Sequence, residues 1–110
     1  MASSIEMYNE AEKLKDEGQH EEAIAKLQEL LAQDESHVLS HLALGVLYHN
    51  VNKPQQAVEH AEKAVELEPN DPINYTALSF AYRRAFESTQ DASYIQKAED
   101  AMMRSHTMHH

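Results

Sequence analysis

The stretch that decides the fold is GVLYHNVNKPQQAVEHAEKAVELEP, residues 45–69. It repeats the plan of AEKLKDEGQHEEAIAKLQELLAQDE, residues 11–35. The two stretches are offset by 34 positions, and their small, apolar and alanine positions coincide when one is laid over the other. A second shift by the same offset aligns Tyr48 with Tyr82. A fixed period of this length is typical of one supersecondary unit that stacks on copies of itself.

These positions resemble the tetratricopeptide repeat, a helix-turn-helix unit of about 34 residues. The middle repeat carries most of that family's pattern, at Leu44, Gly45, Tyr48, Ala57, Ala64 and Pro69. His41 stands where the family prefers Trp, and Ala61 stands where it prefers a large aromatic residue. The resemblance implies an all-α fold, a right-handed α-solenoid of three helical hairpins with six helices. It also implies a binding function, because the first helices of such hairpins line a concave surface in that family.

We expect a single domain over residues 1–110. Its three repeats cover about residues 4–37, 38–71 and 72–105, and residues 106–110 form a flexible tail. The third repeat fits the pattern only if about three extra residues separate its two helices. One hairpin alone cannot bury both of its faces, so about three repeats are the minimum for a stable fold.

Local signals place several helix ends. Ser3 followed by Glu6 predicts a capping box at the start of the first helix. Gly18 predicts the left-handed residue that ends this helix. We expect the fifth helix to end near Phe86, and residues 88–91, a second Ser-x-x-acid signal, to begin the sixth.

Composition excludes several classes of function. The chain contains no Cys, so disulfides, thiolate metal sites and a cysteine nucleophile are excluded. Its net charge is −10, with local sums of −7, −3 and 0 over residues 1–37, 38–71 and 72–110. Because no basic surface is present, we expect no nucleic-acid partner, and without a long apolar run we expect no membrane span. The first residues lack a basic segment followed by an apolar run, so the expected location is the cytoplasm.

No catalytic constellation is visible, so we expect a protein that is not an enzyme and uses no cofactor. Adjacent acidic residues on a helix, such as Glu21 and Glu22, point in different directions and are typical of a solvated face. The eight His residues raise a metal-binding protein as a third alternative. The histidines with suitable spacing are His37 and His41 near Asp34, and His106, His109 and His110. A turn separates the first set, and the second lacks fixed supporting groups, so no metal site is expected.

The main functional signal is an apolar stripe on the third helix. Leu39, Leu42, Val46 and Asn50 fall at i, i+3, i+7 and i+11, apart from the stripe that carries Leu44. In the family's register, the predicted groove consists of Leu39, Leu42, Val46, His49, Asn50, Ile73, Thr76, Phe80 and Arg83. We therefore predict a protein–protein interaction module that binds a peptide or helix of another polypeptide in a largely apolar groove. Ordinary packing between repeats is the other explanation for Leu39 and Leu42.

The last helix predicts a second contact surface. Ile95, Ala98 and Met102 fall at i, i+3 and i+7, with Met103 beside them, and the 110 residues hold no fourth repeat to cover them. Such repeat ends usually need a polar cap. Self-assembly through the repeat ends is therefore the alternative function, and we expect a weak two-fold homodimer.

Overall fold

A computed structural model describes residues 2–108, and within them the chain forms six helices and no strand. The helices are α1 (Ser4–Asp16), α2 (His20–Gln33), α3 (Val38–Asn50), α4 (Pro54–Leu67), α5 (Pro72–Thr89) and α6 (Ser93–Thr107). They pack as three hairpins, α1 with α2, α3 with α4 and α5 with α6. The first residues of α1, α3 and α5 lie 34 positions apart, so the sequence period is the period of the structure. None of the described helices is long and apolar enough to cross a bilayer.

The predicted signals at both ends of α1 are confirmed. The Ser3 hydroxyl accepts a hydrogen bond from the Glu6 amide, and the Glu6 carboxylate accepts one from the Ser3 amide. After the helix, Gly18 adopts a φ of +81°, and the Gln19 amide donates to the Leu14 carbonyl. Asn52, one period later, takes the same role with a φ of 63°.

The prediction for the end of α5 is wrong. Phe86 stands one period after Asn52, and a bulky aromatic residue is unfavourable in the left-handed conformation. The helix therefore continues through Ser88 to Thr89, and Gln90 supplies the left-handed residue with a φ of 63°. Ser88 does not cap α6. The Asp91 carboxylate instead accepts hydrogen bonds from the Ser93 amide and hydroxyl.

The boundary of the predicted tail also differs from the structure. α6 continues to Thr107, so His106 lies in its last turn. His109 and His110 lie outside the described residues.

Two apolar clusters hold the hairpins together. The first contains Ile24 and Leu27 of α2 with Leu44 and Tyr48 of α3. The second joins α4, α5 and α6 through Val58, Ala61, Leu78, Tyr82, Ala85, Ala98 and Ala101. Each cluster spans neighbouring hairpins, so every repeat depends on the next for burial of its apolar face.

Candidate binding site

A pocket of about 190 Å³ opens between α3 and α5, with α4 contributing one residue to its lining. Its lining is mostly apolar or small, and consists of Leu42, Gly45, Val46, His49, Ala61, Ala77, Phe80, Ala81 and Arg84. The two helices belong to neighbouring hairpins, and the register of the repeat sets their faces opposite each other. The pocket is therefore a product of the stacking rather than of any one repeat.

Four of the predicted groove residues come together here. Leu42, Val46 and His49 line the pocket from α3, and Phe80 lines it from α5. Val46 is 46% exposed and Phe80 is 48% exposed, so both retain a large free apolar surface. Exposed apolar side chains that face each other across a pocket are a common feature of sites that bind another molecule.

Three other predicted residues lie outside the pocket. Leu39 and Ile73 are 54% and 67% exposed near the starts of α3 and α5. Ile5, 71% exposed, holds the same position in α1, so the three side chains mark one position of the repeat, each one period after the last. Asn50 is exposed at the end of α3. The open apolar surface therefore extends beyond the pocket, and ordinary packing between repeats does not explain Leu39.

Two predicted groove residues do not line this pocket and lie on the α6 side of α5. The Thr76 hydroxyl lies 2.7 Å from the Ser105 hydroxyl and donates to the Pro72 carbonyl, so it belongs to the contact between α5 and α6. Arg83 lines a different cleft, on the α6 side of α5, and its guanidinium lies over the Phe80 ring. A helical stripe drawn from sequence spacing does not show which side of a helix a neighbouring helix covers.

Sequence reasoning missed the small residues of the lining. Gly45, Ala61, Ala77 and Ala81 form much of the wall, and a β-carbon on Gly45 would lie 3.4 Å from the Ala57 carbonyl oxygen. The sequence feature that could have indicated the pocket is Ala61, which stands where the family prefers a large aromatic residue. A methyl group in place of that ring leaves space beside α3.

The charge in the pocket is positive and lies at one end. Burial, and then the nearby Arg84 guanidinium, lower the pKa of His49, while Glu87 opposes the shift. The His49 ring is consequently neutral at pH 7 and Arg84 carries the charge. This combination suits an apolar side chain that is followed by a carboxylate.

Three of the histidines in the described part of the chain, His37, His41 and His60, have hydrogen-bond partners. The His37 ring accepts a hydrogen bond from the Ser40 amide and caps α3. His41 and His60 lie with their Nδ1 atoms 3.0 Å apart. Within residues 2–108 no group of three or more potential metal ligands comes together. The proposed spacing of His106 with His109 and His110 falls partly outside the described residues.

The residues predicted for self-association line a second cleft. This cleft has a volume of about 510 Å³ and lies between α5 and α6. Ile95, Met102 and Met103 line it from α6, Ala98 forms part of its buried wall, and Phe86 lines it from α5. Met103 is 66% exposed, so the apolar face of α6 is open in the single chain.

The hairpins, their common register and the open apolar surface define a helical-repeat scaffold. The sequence profile of the tetratricopeptide repeat matches residues 14–82, and the chain belongs to that family. Its members are protein–protein interaction modules in general and are typically not enzymes. A similar solved structure is "Crystal structure of MamA", with a TM-score of 0.82 and 18% sequence identity. That match covers 97% of this chain but 58% of the MamA chain, and at this identity it shows the fold. No curated protein sequence matches the chain.

Proposed function

We propose that the chain is a non-enzymatic interaction module that binds a segment of another polypeptide in the groove between α3 and α5. The observation that carries this proposal is the pocket at Leu42, Val46 and Phe80, where apolar side chains remain exposed on both walls. Burial of such surface contributes about 25 cal/mol per Å², so filling the pocket with one large apolar side chain contributes about 2 kcal/mol.

The polar groups at the pocket define the rest of the bound segment. Arg84 offers a charged donor at the edge of the pocket, and the neutral His49 ring offers a weaker hydrogen-bonding partner. An acidic residue close to the apolar anchor would pair with Arg84. Leu39 and Ile73 would cover further apolar residues of the same segment.

Selection from a random peptide library tests this proposal. We expect wild-type protein to select peptides that carry a large apolar residue near an acidic one. Phe80→Ala and Leu42→Ser should each weaken binding of a selected peptide by about tenfold, because each removes about 1–2 kcal/mol of apolar contact. Isothermal titration calorimetry measures the loss.

Lys63→Ala is the matched control, because Lys63 lies on α4 and pairs with Glu66 on the same helix. Its affinity for the peptide should equal that of the wild type. Circular dichroism of every variant distinguishes weaker binding caused by a lost contact from weaker binding caused by unfolding. Full affinity in a folded Phe80→Ala, Leu42→Ser double variant would exclude this groove as the binding site.

A further inference from the structure

We propose that the cleft between α5 and α6 is a second docking site, which binds an amphipathic helix of another polypeptide. The helix presents an apolar residue followed four positions later by a tyrosine. The cleft has a volume of about 510 Å³, and its apolar walls include Phe86, Ile95 and Met102. It lies on the opposite side of α5 from α3, so it is distinct from the groove proposed above.

At two places in the structure, the apolar face of one hairpin's second helix is covered by the first helix of the next hairpin. Ile24 of α2 packs in one cluster with Leu44 and Tyr48 of α3. Val58 of α4 packs in one cluster with Leu78 and Tyr82 of α5. In both cases the covering helix contributes a leucine and, four residues later, a tyrosine.

No helix within residues 2–108 covers the same face on α6. The buried Ala61 and Ala64 of α4 correspond to the buried Ala98 and Ala101 of α6, 37 positions later. This register places Ile95 at the position of Val58. The exposed fraction is 9% for Ile24 and 6% for Val58, whereas it is 44% for Ile95. The apolar surface of α6 therefore continues an interface that is closed at the two earlier repeats.

A polar side chain on the same face explains why the incoming helix should carry a tyrosine. The Gln28 side chain of α2 donates a hydrogen bond to the Tyr48 hydroxyl. One repeat later, the Tyr82 hydroxyl donates to the Glu62 carboxylate over 2.6 Å. In the register of α6 this position is Glu99, which lines the open cleft. A tyrosine hydroxyl on the incoming helix thus meets an acceptor that is already in place.

The two covered faces also show which residues of the covering helix a partner does not need. Gly45 and Ser79 follow the two leucines, but both serve their own hairpins. Gly45 lies close to the α4 backbone, and the Ser79 hydroxyl donates to the Ala98 carbonyl. A single docking helix has no hairpin partner, so only the apolar residue and the tyrosine are required.

A second copy of the chain, stacked head to tail, fits the cleft less well. The helix with the corresponding face in a second copy is α1, where Glu10 replaces Leu44 and Leu14 replaces Tyr48 in the repeat register. Stacking α1 on α6 would set the Glu10 carboxylate, which pairs with Lys26 over 3.6 Å, against Ile95. It would also leave Glu99 without a hydroxyl partner. Burial of a carboxylate against an apolar side chain is costly, so another polypeptide is the favoured occupant.

Fluorescence anisotropy with a labelled synthetic peptide of residues 71–89 tests the proposal. This peptide copies α5 and carries both Leu78 and Tyr82. We expect saturable binding to the full chain below about 1 mM peptide. Replacement of Tyr82 by Phe in the peptide should weaken binding by about tenfold, because the hydrogen bond to a carboxylate is lost. Replacement of both Leu78 and Tyr82 by Ser should abolish it.

Variants of the protein locate the site. Met102→Glu should weaken binding by at least about tenfold, because it places a charge in the apolar wall. Gln56→Glu, which adds the same charge to an exposed position of α4, should bind as the wild type does. Glu99→Ala should remove the difference between the Tyr82 peptide and its Phe variant. Glu99→Gln should retain that difference, since Gln28 serves Tyr48 in the same way.

Three results would overturn the proposal. One is the absence of binding by a folded wild-type chain. Another is binding that is lost in Phe80→Ala but kept in Met102→Glu, which would place the peptide in the α3–α5 groove. The third is a chain that forms dimers at the assay concentration, as seen by sedimentation velocity, with dimers lost in Met102→Glu and no peptide bound. In that case a second copy, not another polypeptide, covers α6.

Discussion

At the scale of single residues, two neighbouring histidines of the second hairpin are the groups through which we expect folding to depend on pH. His41 Nε2 lies 3.0 Å from the Glu35 carbonyl oxygen, which can only accept, so this nitrogen carries a hydrogen. His41 Nδ1 is then the acceptor for the hydrogen on His60 Nδ1. The His60 ring is also stacked on Tyr48, with the ring centroids 5.5 Å apart. The hydrogen bond between the rings requires that His41 Nδ1 keep its lone pair.

We predict that the chain loses stability as the pH falls below neutrality. Burial, and then the nearby His41 ring, lower the pKa of His60 from 6.5 to about 4. Between these values the unfolded chain binds a proton that the folded chain does not, so folding is penalised progressively from pH 6.5 down to about 4. Because the ring is partly exposed, we expect a loss of about 1 kcal/mol between pH 7.5 and pH 5.0.

Urea unfolding at these two pH values measures the effect. The His60→Gln variant removes the titrating ring, so its free energy of unfolding should change less with pH than that of the wild type. An equal pH dependence in the two proteins would show that other groups control the response.

At the scale of helices, a side chain in the first turn of one hairpin holds the end of the previous one. Asn74 of α5 is 1% exposed, and its amide donates hydrogen bonds to the carbonyls of Ala64 and Glu68 at the end of α4. His41 of α3, one position beyond the equivalent of Asn74, makes a similar contact with the Glu35 carbonyl after α2. The Ala64 carbonyl also accepts a hydrogen bond from the Glu68 amide, so the Asn74 side chain is an additional donor that links the end of α4 to the start of α5.

We predict that Asn74→Ala destabilises the fold by about 1–2 kcal/mol, because it removes a buried side chain together with its two hydrogen bonds across the junction. Chemical unfolding followed by circular dichroism gives the value. Asn70→Ala is the matched control, since Asn70 is exposed in the turn before α5 and should change stability by less than about 0.5 kcal/mol. A neutral Asn74→Ala would mean that water replaces the amide at this junction.

The helices also show how far the sequence determines the fold. The starts of α3 and α5 follow from the predicted repeat starts at residues 38 and 72, and the structure reproduces them. The end of α5 could not be read in this way, since Gln90 is not a residue that usually signals a left-handed turn. For the site, the spacing identified Leu42 and Phe80, but the separation of Arg83 from Arg84 depends on which side of α5 each neighbour covers. That information lies in the packing rather than in the period.

At the scale of the whole molecule, the three repeats differ in how well they are buried. α3 contacts α2, α4 and α5 and buries Ser40, His41, Ala43, Leu44, Leu47 and Tyr48. α1 buries only Met7 and Ala11. α6 buries three small residues, Ala98, Ala101 and Ser105, beside its open apolar face. In a stack where each repeat depends on its neighbours, the ends should open more readily than the centre.

We predict that amide hydrogen exchange in α3 is slower than in α1 and α6 by about tenfold or more, because opening the centre exposes both apolar clusters. Hydrogen–deuterium exchange with mass spectrometry resolves the six helices. Saturation with the peptide of residues 71–89 should slow exchange in α6 and leave α1 unchanged, since the cleft lies at the opposite end of the stack from α1. Equal exchange rates in α1, α3 and α6 without peptide would show that the stack opens only as a unit. Burial differences between the repeats would then have no influence on local opening.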